Sequence, residues 1–156
     1  MDDAAQAVFY SSWFYSGMRI LTWIEDFHSE GAIAERLSLS SAQAREALQY
    51  LVRYGLCVEK NGRYFIGPQK THLGGDSPLA VRHHSNWRLK AIENMRAKDI
   101  EKEELFYTGP MSLSLADMAS VRKELVDVVS RAIKIVGPSK SEEIACLNID
   151  WFKVRR

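Results

Sequence analysis

Asn61-Gly62 stands between two β-rich runs, Leu56-Cys57-Val58-Glu59-Lys60 and Arg63-Tyr64-Phe65-Ile66, and few dipeptides restrict a chain as tightly. A two-residue type I′ loop needs positive φ at both central positions, which asparagine and glycine tolerate best. The turn also fixes the register. Lys60 faces Arg63 and Val58 faces Phe65, on the same side as Leu56, while Cys57, Glu59, Tyr64 and Ile66 lie on the other. Two cations are thereby set at the hairpin tip.

What precedes the hairpin has the pattern of two crossing helices. Ala32-Ile33-Ala34-Glu35-Arg36-Leu37 predicts a short helix, and Ser38-Leu39-Ser40 a turn whose Leu39 plugs the crossing. Ser40 with Gln43 three residues on is a capping-box pair that opens a second helix. Ala44, Ala47, Leu48, Leu51 and Val52 recur at helical spacing and form one apolar stripe. Gly55 stops the helix, since glycine takes the left-handed position at a helix end without steric cost. Helix, turn, helix and hairpin in this order predict a winged helix-turn-helix.

With hydrophobic residues at 46% and charged residues at 26%, the chain has the composition of a globular protein that can bury a core. No apolar run is long enough to span a bilayer and no secretory signal is visible, so the expected location is cytoplasmic. In that reducing setting Cys57 and Cys146, both on expected strands, read as buried thiols rather than a disulfide or a metal pair. The net charge of +1 does not itself announce a nucleic-acid binder. Its distribution is more informative. Residues 1–39 carry Arg19 and Arg36 against six acids, for −4, whereas residues 40–72 carry Arg45, Arg53, Lys60, Arg63 and Lys70 against Glu46 and Glu59, for +3. The cationic stretch coincides with the second helix and the hairpin, where phosphate contacts would form.

The remaining chain supplies the frame. Residues 4–27 predict one long aromatic-rich helix, with Tyr10, Trp13, Phe14, Gly17, Leu21, Ile24 and His28 on one face and Phe9, Met18 and Trp23 elsewhere, so it packs on two sides or forms a dimer interface. Residues 67–78 hold three glycines and two prolines and read as a connector between domains at 1–68 and 77–156. Ser77 and Pro78 then open a helix running to about Lys98, with Ala80, His84, Trp87, Ala91 and Met95 on its stripe. Leu105–Thr108 with Met111–Leu113, and Ile144–Val154, have the alternation of strands. Between them Ser114 caps a regular helix bearing Met118, Val121, Leu125, Val128, Val129, Ala132 and Val136, ended by Gly137-Pro138. The expected class is α+β and mainly helical: a winged helix-turn-helix followed by a small helix–strand–helix–strand domain.

Phe9-Tyr10-Ser11-Ser12-Trp13, Ile33-Ala34-Glu35-Arg36-Leu37, Ala44-Arg45-Glu46-Ala47-Leu48 and Leu147-Asn148-Ile149 together resemble an uncharacterised bacterial family associated with transcriptional regulation, known mainly as a conserved domain of unknown function. The resemblance covers nearly the whole chain. It implies a regulator. It also implies that full-length members carry a preceding segment, itself similar to a helix-turn-helix, which this sequence does not include.

The expected function is therefore a DNA-binding transcriptional regulator acting as a homodimer on double-stranded, palindromic DNA. Ser41, Gln43, Arg45, Glu46 and Gln49 would face the major groove, Arg45 matching a guanine and Gln43 or Gln49 an adenine. Lys60 and Arg63 would reach phosphate or the minor groove. The alternative is a sensor or dimerisation half that binds no DNA, in which a segment absent here reads the operator. A small-molecule effector is compatible with the C-terminal half but nothing in the sequence names one. No metal, cofactor or catalytic role is expected. His28, His72, His83 and His84 are scattered, adjacent histidines diverge by about 100° on a helix, Gly74-Gly75 is no phosphate loop, and no nucleophile motif is present.

Overall fold

The computed structural model describes residues 1–71, 73–74, 76–97 and 101–155. His72, Gly75 and the expected helix end at Lys98 lie outside them. The described residues form six helices and a two-stranded antiparallel sheet, an α+β and mainly helical fold. In order these are α1 (Asp3–Phe9), α2 (Trp13–Leu21), a 3₁₀ turn at Glu25–Phe27, α3 (Glu30–Arg36), α4 (Ser41–Arg53), β1 (Cys57–Lys60), β2 (Arg63–Ile66), α5 (Pro78–Met95) and α6 (Leu115–Val136). Two units are distinguishable: Met1–Glu93 with Ser141–Cys146, and Asn94–Lys140 with Leu147–Arg156.

The first unit is organised on α4. Its Ala44, Ala47, Leu48 and Leu51 are fully buried, and they meet Met18 and Leu21 of α2, Ile33 and Ala34 of α3, and Leu56 and Cys57 at the start of the hairpin in one core. Burying a leucine such as Leu48 or Leu51 stabilises by about 1.5–3 kcal/mol. Both ends of α4 are closed as the residue types require. Ser40 Oγ accepts from the Gln43 amide at 3.2 Å, and Gln43 Oε1 accepts from the Ser40 amide at 3.0 Å. At the other end Gly55, at φ +68°, sends its N–H to the Val52 carbonyl at 3.0 Å, and Leu56 sends its own to Leu51 at 2.8 Å. That pair of bonds is a Schellman motif, and it aims the chain directly into β1.

The hairpin has the register expected, with Lys60 opposite Arg63 and Val58 opposite Phe65. Asn61 at φ +54° and Gly62 at φ +73° make the turn. Its root is held on two sides. The Tyr64 amide donates to the His28 carbonyl at 2.8 Å, and the Gly67 amide donates to the Leu56 carbonyl at 2.9 Å. Gly67, expected only as part of a loose connector, is in fact a close-approach position: a Cβ there would lie 2.1 Å from the Gly55 carbonyl oxygen.

Several expectations are corrected. The single helix over 4–27 is three pieces, because Ser12 is extended at φ −145° and begins α2, and Ile24 is extended before the 3₁₀ turn. The Thr22 hydroxyl closes α2 by donating to the Arg19 carbonyl at 2.7 Å. Between α3 and α4, Leu39 packs on the core as a half-buried side chain, and Leu37 is buried with it; the intervening Ser38 takes φ +53°. On α5 it is His83, edge-on to Tyr10 at 5.2 Å, that is half-buried, and His84 faces solvent. Cys57 is buried beside Thr22, but Cys146 is exposed. Residues 105–113 and 144–154 are not strands. Alternation gives a segment a sheet-compatible pattern, and a ladder still needs a neighbouring strand. No helix among the described residues is long and apolar enough to cross a membrane.

In the second unit α6 opens as the sequence indicates, Ser114 Oγ accepting from the Asp117 amide at 3.0 Å. Trp151 Nε1 donates to the Met118 carbonyl at 3.2 Å.

Two glycines make opposite predictions. Gly67→Ala forces backbone against backbone and should destabilise the first unit by roughly 1–3 kcal/mol. Gly31→Ala lies in α3 with no atom within 4 Å of the added methyl, and should stabilise by a few tenths to about 1 kcal/mol through helix propensity. Urea melts of the two variants check both signs. A pH prediction follows from Tyr50, whose hydroxyl donates to the Ala5 carbonyl at 2.6 Å and whose pKa burial pushes up to about 12. The unfolded phenol ionises near 10, so this contribution to stability is complete below pH 10 and is lost as pH rises toward 12. Alkaline melts should show that decline, and Tyr50→Phe should flatten it.

Candidate nucleic-acid interface

The outward side of α4 follows from its buried side. Because Ala44, Ala47, Leu48 and Leu51 face the core, Ser41, Gln43, Arg45, Glu46 and Gln49 are all exposed. The hairpin tip adds exposed Lys60 and Arg63. All seven residues singled out from the sequence thus sit at the surface of the first unit, in two groups, one on α4 and one on the hairpin.

Three of the seven are engaged by neighbours. Gln43 is spent in the capping box. Arg45 forms a forked pair with Glu30 of α3, Nη2 to Oε1 at 2.9 Å and Nε to Oε2 at 3.2 Å. This two-bond geometry holds the guanidinium plane, and the hydrogen bond and charge of Glu30 raise the Arg45 pKa further above its already high ordinary value. Arg63 places Nη2 3.1 Å from His28 Nδ1, and the His28 ring lies 4.3 Å from that of Phe65. With Arg63 as donor, His28 Nδ1 is the acceptor and is therefore unprotonated in this arrangement.

Sequence reasoning missed Glu30, His28 and Trp23. Trp23, Glu25, His28, Lys60, Asn61, Arg63 and Phe65 line an open recess of about 580 Å3 beside the hairpin. Trp23 is 60% exposed, large for an indole, and two cationic side chains and an imidazole share its recess. The available signal was the position of Trp23, off the apolar stripe of its own segment. Glu30 had no comparable signal, because its partner is fifteen residues away and their meeting depends on the crossing of α3 and α4.

Arginine, glutamine, serine and glutamate on one exposed helix face, with cations on an adjoining hairpin, offer hydrogen-bond donors and acceptors side by side at this surface. Comparison with known proteins places the chain further. The family model described as "Domain of unknown function (DUF4423)" matches residues 2–154, and the chain belongs to that family. The chain is also similar to a tyrosine recombinase XerC from Shewanella amazonensis (strain ATCC BAA-1098 / SB2B), at 26% identity over 137 residues. That match takes in 82% of this chain and 45% of the relative, so the chain spans less than half the length of the protein it matches. No solved structure matches.

Proposed function

We propose that the chain is a DNA-binding transcriptional regulator whose first unit works as a winged helix-turn-helix. Helix α4 enters the major groove, and the β1–β2 hairpin is the wing that rests on the backbone. The observation carrying this reading is the division of α4 into a fully buried stripe and a fully exposed polar face beside a cationic hairpin tip. A helix held by its core side presents Ser41, Arg45, Glu46 and Gln49 in a fixed relation to a duplex, with little rotational freedom to lose on binding. The distant likeness to a recombinase supports the same direction.

On this reading the Arg45–Glu30 pair is a resting state. To reach a guanine, Arg45 exchanges the two carboxylate oxygens of Glu30 for another pair of acceptors, O6 and N7 of the base, while Glu30 withdraws into solvent. Arg63 makes the parallel exchange of His28 for a phosphate. Both exchanges cost part of the binding energy. The second reading, in which the unit serves as a sensor or protein-contact half and DNA is read elsewhere, is favoured by a different observation: Arg45 and Arg63 already have partners inside the unit.

Fluorescence anisotropy of the whole chain with labelled duplex DNA across a salt series separates the two. The wing-and-helix reading requires affinity to fall linearly in log–log form with salt. Arg63→Ala should flatten the slope by about one, and Arg45→Ala should weaken the preferred sequence by roughly 5- to 100-fold with less effect on others. Glu30→Gln should strengthen binding by roughly two- to fivefold, because Arg45 is released. Glu35→Gln, on the same short helix, is the control for simple loss of negative charge. Absence of binding at low salt by wild type and by Glu30→Gln alike would leave the sensor reading standing.

A further inference from the structure

The second unit holds no buried residue among those described. Helix α6 is the reason this matters. Leu115, Ala119, Arg122, Val126, Val129, Ile133 and Val136 recur at alternating steps of four and three, a heptad seam running the length of the helix. Leu115 is 76%, Val126 48%, Ile133 66% and Val136 69% exposed. A second set, Met118, Val121, Leu125 and Ala132, is half-buried and lies beside the seam. At about 100° per residue the two sets cover roughly half of the helix circumference. One neighbour needs a stripe of about 100°. The arc is wider than one neighbour needs, and the seam is its exposed side, with Val129 alone of its apolar positions half-buried.

The chemistry of the seam selects its occupant. Positions flanking it are Met118, Leu125 and Ala132 on one side and Ala116, Lys123 and Ser130 on the other, which leaves a single flanking charge. Nothing there would hold a nucleic acid or an acidic peptide. What fits is an aliphatic helix with the same heptad, and each chain carries one. Length agrees with this. The seam is sustained over the 22 residues of α6, about three heptads, the length at which such a pattern marks a coiled coil. Orientation follows from Arg122. A parallel pair would stack Arg122 on its own copy in one layer, and an antiparallel pair separates the two.

We infer that α6 is a dimerisation helix, pairing antiparallel with α6 of a second copy along the Leu115–Val136 seam. The inference stands apart from DNA binding. Sedimentation of the full chain at about 10–100 μM should give twice the 17.8 kDa chain mass. Val126→Glu with Ile133→Glu should return it to the single-chain mass, while Ser120→Glu, on the charged side, should not. Arg122→Leu guards against a variant that merely misfolds: it should tighten the dimer by roughly tenfold or more. Leu115→Cys, in a Cys146→Ser background, forms no disulfide across an antiparallel pair. A wild-type monomer throughout that range, or a dimer indifferent to both seam changes, overturns the inference. A Leu115→Cys disulfide overturns the orientation. DNA binding by a strict monomer would sink this dimer and leave the proposed function untouched.

Discussion

The contact on which the first unit depends is the apolar stripe of α4 against α2, α3 and the first residues of β1. Met18, Leu21, Ile33, Leu48, Leu51, Leu56 and Cys57 are all excluded from water, and they come from every one of those elements. That single cluster fixes the rotation of α4 about its axis. Rotation in turn decides which polar residues face outward, so the core writes the surface. The Schellman closure at Gly55 carries the constraint onward, because it aims the chain into β1 while Leu56 is still in the core. Gly67 completes the circuit by returning the end of β2 to within a methyl's width of Gly55. A bulkier residue at either glycine would disturb the hairpin and the helix end together.

Electrostatics at the surface follows a different logic from the core. The exposed face of α4 and the hairpin tip are nominally cationic, yet Arg45 and Arg63 each have a partner inside the unit. Exposed pairs of this kind are weak and salt-screened, so they tune a surface more than they hold a fold. Their consequence is orientation, because the forked bond to Glu30 fixes the plane of the Arg45 guanidinium at the surface. Ser41, Glu46, Gln49 and Lys60 have no such internal bond among the described residues.

Much of the first unit was legible in the sequence because its signals are local. The capping box of Ser40 and Gln43, the glycine stop at Gly55 and the Asn61-Gly62 turn each act within a few residues, and each is present where expected. The same locality explains why all seven candidate surface residues were placed outward. Illegible features involve residues distant along the chain: the fork of Glu30 on Arg45, the His28–Arg63 contact, the close approach at Gly67. The break at Ser12 escaped because an aromatic-rich run keeps helical periodicity across a kink. Ser11 and Ser12 are modest helix formers rather than breakers, so tertiary packing decided the matter.

The expected strands teach a different lesson. Alternation at Leu105–Leu113 and at Ile144–Val154 marks segments suited to a ladder, but a ladder is a property of two neighbours and cannot be read from one. Helix α6 satisfies its backbone internally, so it forms where its sequence asks, while its side chains have no such recourse. Both observations concern the same unit, and the same requirement runs through them. In the first unit the groups that each segment needs are supplied by other segments of the same chain. In the second, α6 carries a half-buried apolar set and, beside it, exposed leucine, valine and isoleucine along an otherwise well-capped helix.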